Sequence, residues 1–132
     1  MKAGPIDRIA SGGELARFLL ALKVALEGEE TGRTRIFDEV DSGVGGAVAA
    51  AVGERLARLG QTTQTLVVTH SPQVAAKGDQ HMKIAKTATD SGVISGTETL
   101  DDSARTEEIA RMLAGEEITA EARAAALALR EG

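Results

Sequence analysis

The chain contains no cysteine, tryptophan or tyrosine, and only two phenylalanines and two prolines occur among its 132 residues. Without a thiol, redox catalysis by cysteine and cysteine-ligated metals are excluded. The near absence of aromatic side chains removes the surface on which nucleic-acid bases stack. Acidic residues outnumber basic ones by 20 to 15, for a net charge of −5, so the composition does not favour direct contact with phosphate backbones.

Long apolar runs are also missing. A bilayer-spanning helix needs roughly 20 apolar residues, and a signal peptide needs an apolar core that the first residues, which include Lys2, Asp7 and Arg8, do not offer. We therefore expect a cytoplasmic protein with no membrane contact. What is present, 42% hydrophobic and 27% charged residues, is typical of a globular chain, and the length predicts one domain over residues 1–132.

The hydrophobic pattern predicts strands that alternate with helices. Apolar residues at helical spacing predict a helix over Gly13–Glu27 and another from Val48 to Leu59, with Gly60 as its C-cap. Thr34–Phe37 is a short predicted strand, and the β-branched run Thr65–Thr69 predicts a strand that is covered on both faces. This alternation indicates an α/β fold with a mostly parallel sheet flanked by helices.

The second half of the chain predicts shorter elements bounded by turn and cap residues. These are a helix that begins at Ser71-Pro72 and ends near Lys77, two edge strands at His81–Lys86 and Gly92–Thr97, a helix that ends near Gly115, and a last helix capped by Thr119.

The segment Ser11-Gly12-Gly13-Glu14 opens the first predicted helix. Helix N-termini present unpaired N–H groups and a partial positive charge, and glycines let a phosphate approach the backbone. The alternative is a plain capping box, because Ser11 and Glu14 have its spacing.

Asp38 and Glu39 follow the first predicted strand directly. A carboxylate at a strand end can hold hydrated Mg²⁺, and a neighbouring one can orient or deprotonate an attacking water. Adjacent residues on extended backbone face opposite ways, which favours two different roles. The alternative is a solvated acidic turn.

His70 lies at the end of the β-branched run. In open α/β sheets, ligands bind at the carboxyl ends of the strands, where an imidazole can donate a hydrogen bond to a phosphate oxygen. The alternative is a structural histidine with satisfied hydrogen bonds. His81 is eleven residues further on and has no ligand spacing to His70, so we interpret it as structural.

The order of these motifs is more specific than any one of them. Ser-Gly-Gly-Glu on a helix, a strand that ends in Asp-Glu, the loop Asp41-Ser42-Gly43 and a strand that ends in Thr-His resemble the signature motif, Walker B motif, D-loop and switch histidine of an ABC-type ATPase head. In finer detail, the chain resembles the RecN family of bacterial SMC-like DNA repair proteins. The segments that carry this resemblance are Ile9–Arg17, Ile36–Gly46, Val68–Ala75 and Glu107–Leu113.

The resemblance implies two sets of roles. In the first set, the ATP-binding signature segment is Ser11–Glu14, which includes Gly12. Ser11 and Gly13 would touch the γ-phosphate of ATP held by a partner subunit, Glu14 would support the signature turn, and Asp41 would cross the dimer interface.

In the second set, Asp38 would serve the Mg²⁺ shell, Glu39 would be the catalytic base, and His70 would sense the γ-phosphate. ATP and Mg²⁺ are the ligands that the resemblance implies.

The phosphate-cradling sequence G-x-x-x-x-G-K-[ST] is absent from the chain. We therefore expect residues 1–132 to be only the C-terminal lobe of such a head, without the Walker A lobe and the coiled coil. The implied partners are the N-terminal Walker A lobe of the same protein, a second head in an ATP-sandwiched homodimer and, through the complete nucleoid-associated protein, DNA.

The complete protein would hydrolyse ATP to ADP and phosphate in double-strand break repair and recombination, whereas this lobe alone is expected to be inactive. The main alternative is an interaction or dimerisation fragment without nucleotide chemistry. A small independent phosphohydrolase that uses Asp38 and Glu39 would require a second set of metal ligands.

Overall fold

The computed structural model describes residues 32–89, 92–115 and 117–132. Its elements in chain order are β1 (Thr34–Asp38), α1 (Gly46–Gly60), β2 (Gln64–Val68), α2 (Pro72–Ala75), β3 (Met82–Thr89), β4 (Gly92–Thr99), α3 (Asp102–Ala114) and α4 (Ala120–Glu131). The predicted helix Gly13–Glu27 and the motif Ser11–Glu14 lie outside the described residues. Within the described ranges, none of the helices has the length and apolar character needed to cross a membrane.

The strands form two separate pairs. β1 and β2 are parallel, with Phe37 opposite Val67, and α1 forms the crossover between them. β3 and β4 are an antiparallel hairpin, which confirms the two predicted edge strands. In the described part of the chain, each sheet contains two strands. The sequence predicted one mostly parallel sheet, but only β1 and β2 are parallel here.

One face of the parallel pair packs against α1 and α2. Phe37 is buried there together with Ala49, Val52, Leu56 and Val74, and Val67 packs against this cluster. The opposite face carries Ile36, which is 70% exposed, together with the exposed Leu66 and Val68. The prediction that β2 is covered on both faces is therefore wrong for the described residues, because its side chains alternate between partial burial and exposure.

The helix ends follow the cap residues in most cases. Ser71 Oγ accepts a hydrogen bond from the Val74 N–H, and Thr119 accepts one from the Ala122 N–H, which confirms both predicted N-caps. Gly60, however, is the last helical residue rather than the cap. Gln61 occupies the cap position with φ −68°, a right-handed conformation for which no glycine is needed.

A second core joins α3 and α4 to the end of α2. Ala76, Ile109, Ala110 and Ala126 are buried in it. The Arg105 guanidinium reaches from α3 to the backbone that follows α2, where it donates hydrogen bonds to the carbonyl oxygens of Gly78 at 2.5 Å and Asp79 at 3.2 Å. These bonds satisfy carbonyls beyond the end of α2 and fix α3 against it.

A buried carboxylate connects α3 to the hairpin. Glu108 is 8% exposed, and its carboxylate lies 2.6 Å from Lys83 Nζ on β3 and 2.5 Å from Arg111 Nη2 on α3. The hydrogen bond from Arg111 is the largest cause that lowers the pKa of Glu108 from 4.5 to about 2, and Lys83 adds to it while burial opposes it.

Replacing Glu108 with glutamine is expected to lower the free energy of unfolding at pH 7 by about 2 kcal/mol, since both cations lose their charged partner. Because the pKa is lower in the folded state, the carboxylate stabilises the fold above about pH 4.5, and this contribution is lost as the pH falls towards 2. The difference between the two proteins should shrink over that range, as measured by urea unfolding at pH 7 and pH 2.5.

Glu107→Gln is the matched control for this substitution. Glu107 pairs with Arg123 on α4, but both side chains are about half exposed, so little change in stability is expected. Equal losses in the two variants would contradict the stabilising role of the Glu108 cluster.

Candidate active site

The loop after β1 turns back towards the end of β2. The Glu39 N–H donates a hydrogen bond to the Val68 carbonyl at 2.9 Å, and the Glu39 carbonyl accepts one from the Ser42 N–H at 3.0 Å. Glu39 itself has a φ of +48°, in the left-handed region that side chains other than glycine seldom adopt. Such a conformation costs about 1 kcal/mol or more and is concentrated at functional sites, because the surrounding structure must impose it.

This turn brings Glu39 to His70, which follows β2. Glu39 Oε1 lies 3.3 Å from His70 Nε2, and the two side chains are 56% and 87% exposed. Since both are accessible to solvent, their attraction contributes little to stability. The contact instead places a carboxylate and an imidazole together at the carboxyl ends of two neighbouring parallel strands, where open α/β sheets bind ligands.

Asp41 lies deeper in the same loop. It is 5% exposed, and its carboxylate accepts a hydrogen bond from the hydroxyl of Thr69. Thr69 Oγ1 also accepts a hydrogen bond from the Ser71 N–H at 2.9 Å. The sequence analysis did not identify Thr69 as a site residue and named it only as the neighbour of His70. Nothing in the spacing of the motifs indicates its contact with Asp41, which lies 28 positions earlier.

A cleft of about 360 Å³ lies between the two loops. Glu39 and residues 41–44 line one side, and residues 70–73 line the other. Its volume falls in the range of small-molecule sites. The structure thus brings together three predicted site residues, Glu39, Asp41 and His70, around one open cavity.

The other predicted residues are placed differently. Asp38 is exposed at the end of β1 and does not line the cleft. The residues Ser11–Glu14 lie outside the described part of the chain. Within the described ranges, no three His, Asp or Glu side chains cluster in a way that would hold a metal ion by themselves.

His81 lies outside this cleft. It precedes β3, and its Nδ1 is buried and has no hydrogen-bond partner. Burial is the main cause that lowers the pKa of His81, with further contributions from Arg105 and Lys83, whereas Glu108 opposes them. A neutral imidazole is therefore favoured at this position.

Comparison with solved structures identifies the class of fold. The chain matches, over 89% of its length and 70% of the other chain, a structure from a study of the structural biochemistry of ATP-driven dimerization and DNA-stimulated activation of SMC ATPases. The TM-score is 0.67 at 20% sequence identity. The described fold is thus an α/β fold similar to that of an SMC ATPase. No family model matches the sequence.

Sequence comparison finds similar proteins at much higher identity. The chain is 53% identical to the DNA repair protein RecN of Xylella fastidiosa strain Temecula1 over 92% of its own length, and 48% identical to RecN of Streptomyces coelicolor over 98%. RecN of Rickettsia felis is 49% identical over 90% of the chain. The resemblance to RecN that the motifs predicted is confirmed, and the similarity extends over nearly the whole chain. It spans only 22–23% of the length of these three proteins.

Proposed function

We propose that this chain is the C-terminal lobe of a RecN-like ATPase head that acts in DNA double-strand break repair and recombination. The observation that carries the proposal is the contact of 3.3 Å between Glu39 and His70 in a cleft at the ends of two parallel strands. In this proposal, β1 and β2 belong to a larger, mostly parallel sheet that is completed by the Walker A lobe.

The chemistry of the cleft suits hydrolysis of a phosphoanhydride. Glu39 is accessible and is held by a backbone turn, so its carboxylate can accept a proton from a water molecule in the cleft. The His70 imidazole can donate a hydrogen bond to a phosphate oxygen. The contact holds both groups at the same cleft. Catalysis of phosphoryl transfer depends mainly on positioning the reacting groups and on electrostatic stabilisation.

In this proposal, Asp38 would be a ligand of Mg²⁺. Protein sites for Mg²⁺ use one or two carboxylates together with water and substrate phosphates, and Asp38 offers one exposed carboxylate beside the cleft residues. The metal would neutralise negative charge on the phosphates. Because no cluster of three ligands exists in the described ranges, the phosphates would supply much of the coordination.

The remaining partners complete the proposed head. Ser11 and Gly13 would contact the γ-phosphate of ATP bound by a second head, and Glu14 would support their turn. Asp41 would contribute to the same homodimer interface. DNA would be bound by the complete protein in the cytoplasm, associated with the nucleoid. The net charge of −5 of this chain does not favour contact with a phosphate backbone, which supports a DNA contact elsewhere in the protein.

The test is ATP binding and turnover by this chain with and without a separately produced N-terminal part that carries the phosphate loop. We expect neither part alone to hydrolyse ATP and the mixture to do so, measured by calorimetry and by release of phosphate. The N-terminal part alone is the control for binding that needs only the phosphate loop.

A second candidate function, a dimerisation fragment without nucleotide chemistry, is favoured by the exposed apolar face of Ile36, Leu66 and Val68. Association of the two parts without any turnover would support that function and contradict the proposed one. Tight ATP binding by this chain alone would contradict both.

A further inference from the structure

One hydroxyl connects the two loops that form the cleft. Thr69 Oγ1 donates its proton to the Asp41 carboxylate and accepts a hydrogen bond from the Ser71 N–H at 2.9 Å. A threonine hydroxyl has one proton to donate and lone pairs to accept, so both functions are used here. The hydroxyl therefore connects the backbone of the second loop to the side chain of Asp41.

The bond determines where Asp41 lies. A carboxylate that is 5% exposed needs hydrogen-bond donors to offset its loss of water, and the Thr69 hydroxyl supplies one. The Asp41 carbonyl also accepts a hydrogen bond from the Val44 N–H at 3.1 Å. The side chain and the backbone of Asp41 are thus both held, two residues after Glu39.

Thr69 also lies next to the candidate histidine, His70. Thr69 directly precedes His70, whose imidazole contacts Glu39 at 3.3 Å. Asp41 is therefore connected to Glu39 by a short path. Asp41 is hydrogen-bonded to Thr69, Thr69 is followed directly by His70, and the His70 side chain contacts Glu39. Thr69 thus links Asp41 to the Glu39–His70 pair.

We propose that Thr69 is a positioning residue, whose hydroxyl orients Asp41 with respect to Glu39 and His70 for ATP hydrolysis. This inference rests on the proposed function. The proposed role of Thr69 depends on its hydroxyl and not on the shape of its side chain. Serine should then replace threonine, whereas valine, which has the same shape but no hydroxyl, should not.

The experiment uses this chain together with the N-terminal part and compares Thr69→Val with Thr69→Ser. We expect valine to lower kcat about tenfold, in line with the loss of a hydrogen bond to a charged group, and to leave the KM for ATP within about twofold. Serine should keep kcat within about twofold of the original protein. Amide hydrogen exchange at Ser71, measured without nucleotide, should become faster in Thr69→Val but not in Thr69→Ser.

A double-mutant cycle with Asp41→Asn separates positioning from general destabilisation. If Thr69 acts through Asp41, the variant with both Thr69→Val and Asp41→Asn should be no slower than Asp41→Asn alone. Thr65→Val is the matched control, because the Thr65 hydroxyl on β2 donates to the Thr63 carbonyl and Thr65 does not line the cleft. It should leave kcat unchanged.

Several results would overturn the inference. These are full turnover by Thr69→Val, an equal loss in Thr69→Ser, unchanged exchange at Ser71, or multiplied losses in the double variant. If Thr69→Val does not fold, Thr69→Ala takes its place with the same expectations. Normal turnover by Thr69→Val in an active mixture would reject this inference alone, whereas no turnover by the unmodified mixture would reject the proposed function and the inference with it.

Discussion

Replacing Glu39 with glutamine is expected to lower ATP turnover at least 100-fold in a protein that contains this chain and a phosphate-loop lobe. Glutamine keeps the size of the side chain and the hydrogen-bonding position near His70 but does not accept a proton at neutral pH. General bases contribute roughly 10²- to 10⁴-fold to rates, so this one change should remove most of the hydrolysis. Phosphate release and calorimetric titration with ATP measure turnover and binding separately.

ATP binding by the Glu39→Gln variant should be retained, because removing one negative charge near the phosphates does not weaken their binding. The unusual φ of +48° is a backbone property that glutamine tolerates as well as glutamate, so the turn should persist. Glu54→Gln is the matched control, since Glu54 is exposed on α1 and does not line the cleft. Near-normal turnover by the Glu39 variant would reject Glu39 as the catalytic base.

The sequence predicted those features of the fold that depend on local chemistry. The Ser71 and Thr119 caps, the hairpin of β3 and β4 and the end of α3 at Gly115 all follow from residues within a few positions of one another. The two strand ends that carry Glu39 and His70 also follow, because alternating strands and helices place parallel strand ends at one edge.

Features that depend on distant residues were not predictable in the same way. The run Leu66–Val68 is apolar at every position, so its sequence does not indicate which face packs on α1, and the structure exposes Leu66 and Val68. The bond between Thr69 and Asp41 joins residues 28 positions apart. The left-handed turn at Glu39 is imposed by its bond to the Val68 carbonyl, and a glutamate in the sequence gives no sign of it.

Gly53 is a residue that helix propensity disfavours, and the close packing of α2 explains its presence in α1. Glycine inside a helix costs about 1 kcal/mol relative to alanine, yet Gly53 lies in the middle of α1. A Cβ atom at this position would lie 3.1 Å from the Gln73 carbonyl oxygen and 3.2 Å from Val74 Cα, both of which are backbone atoms of α2. The close approach of the two helices therefore depends on the missing side chain.

Replacing Gly53 with valine is expected to lower the free energy of unfolding by about 3 kcal/mol, because three added carbons must displace the backbone of α2. Since α2 begins two residues after His70, the cleft should also widen, and ATP turnover of the complete head should fall together with stability. Urea unfolding of the chain measures the first effect. Gly60→Val is the matched control. No atom lies within 4 Å of the Cβ position of Gly60 at the end of the same helix, so valine there should raise stability by about 0.4 kcal/mol. If both variants were stabilised alike, helix propensity alone would govern Gly53, and the contact between α1 and α2 would not be what positions His70.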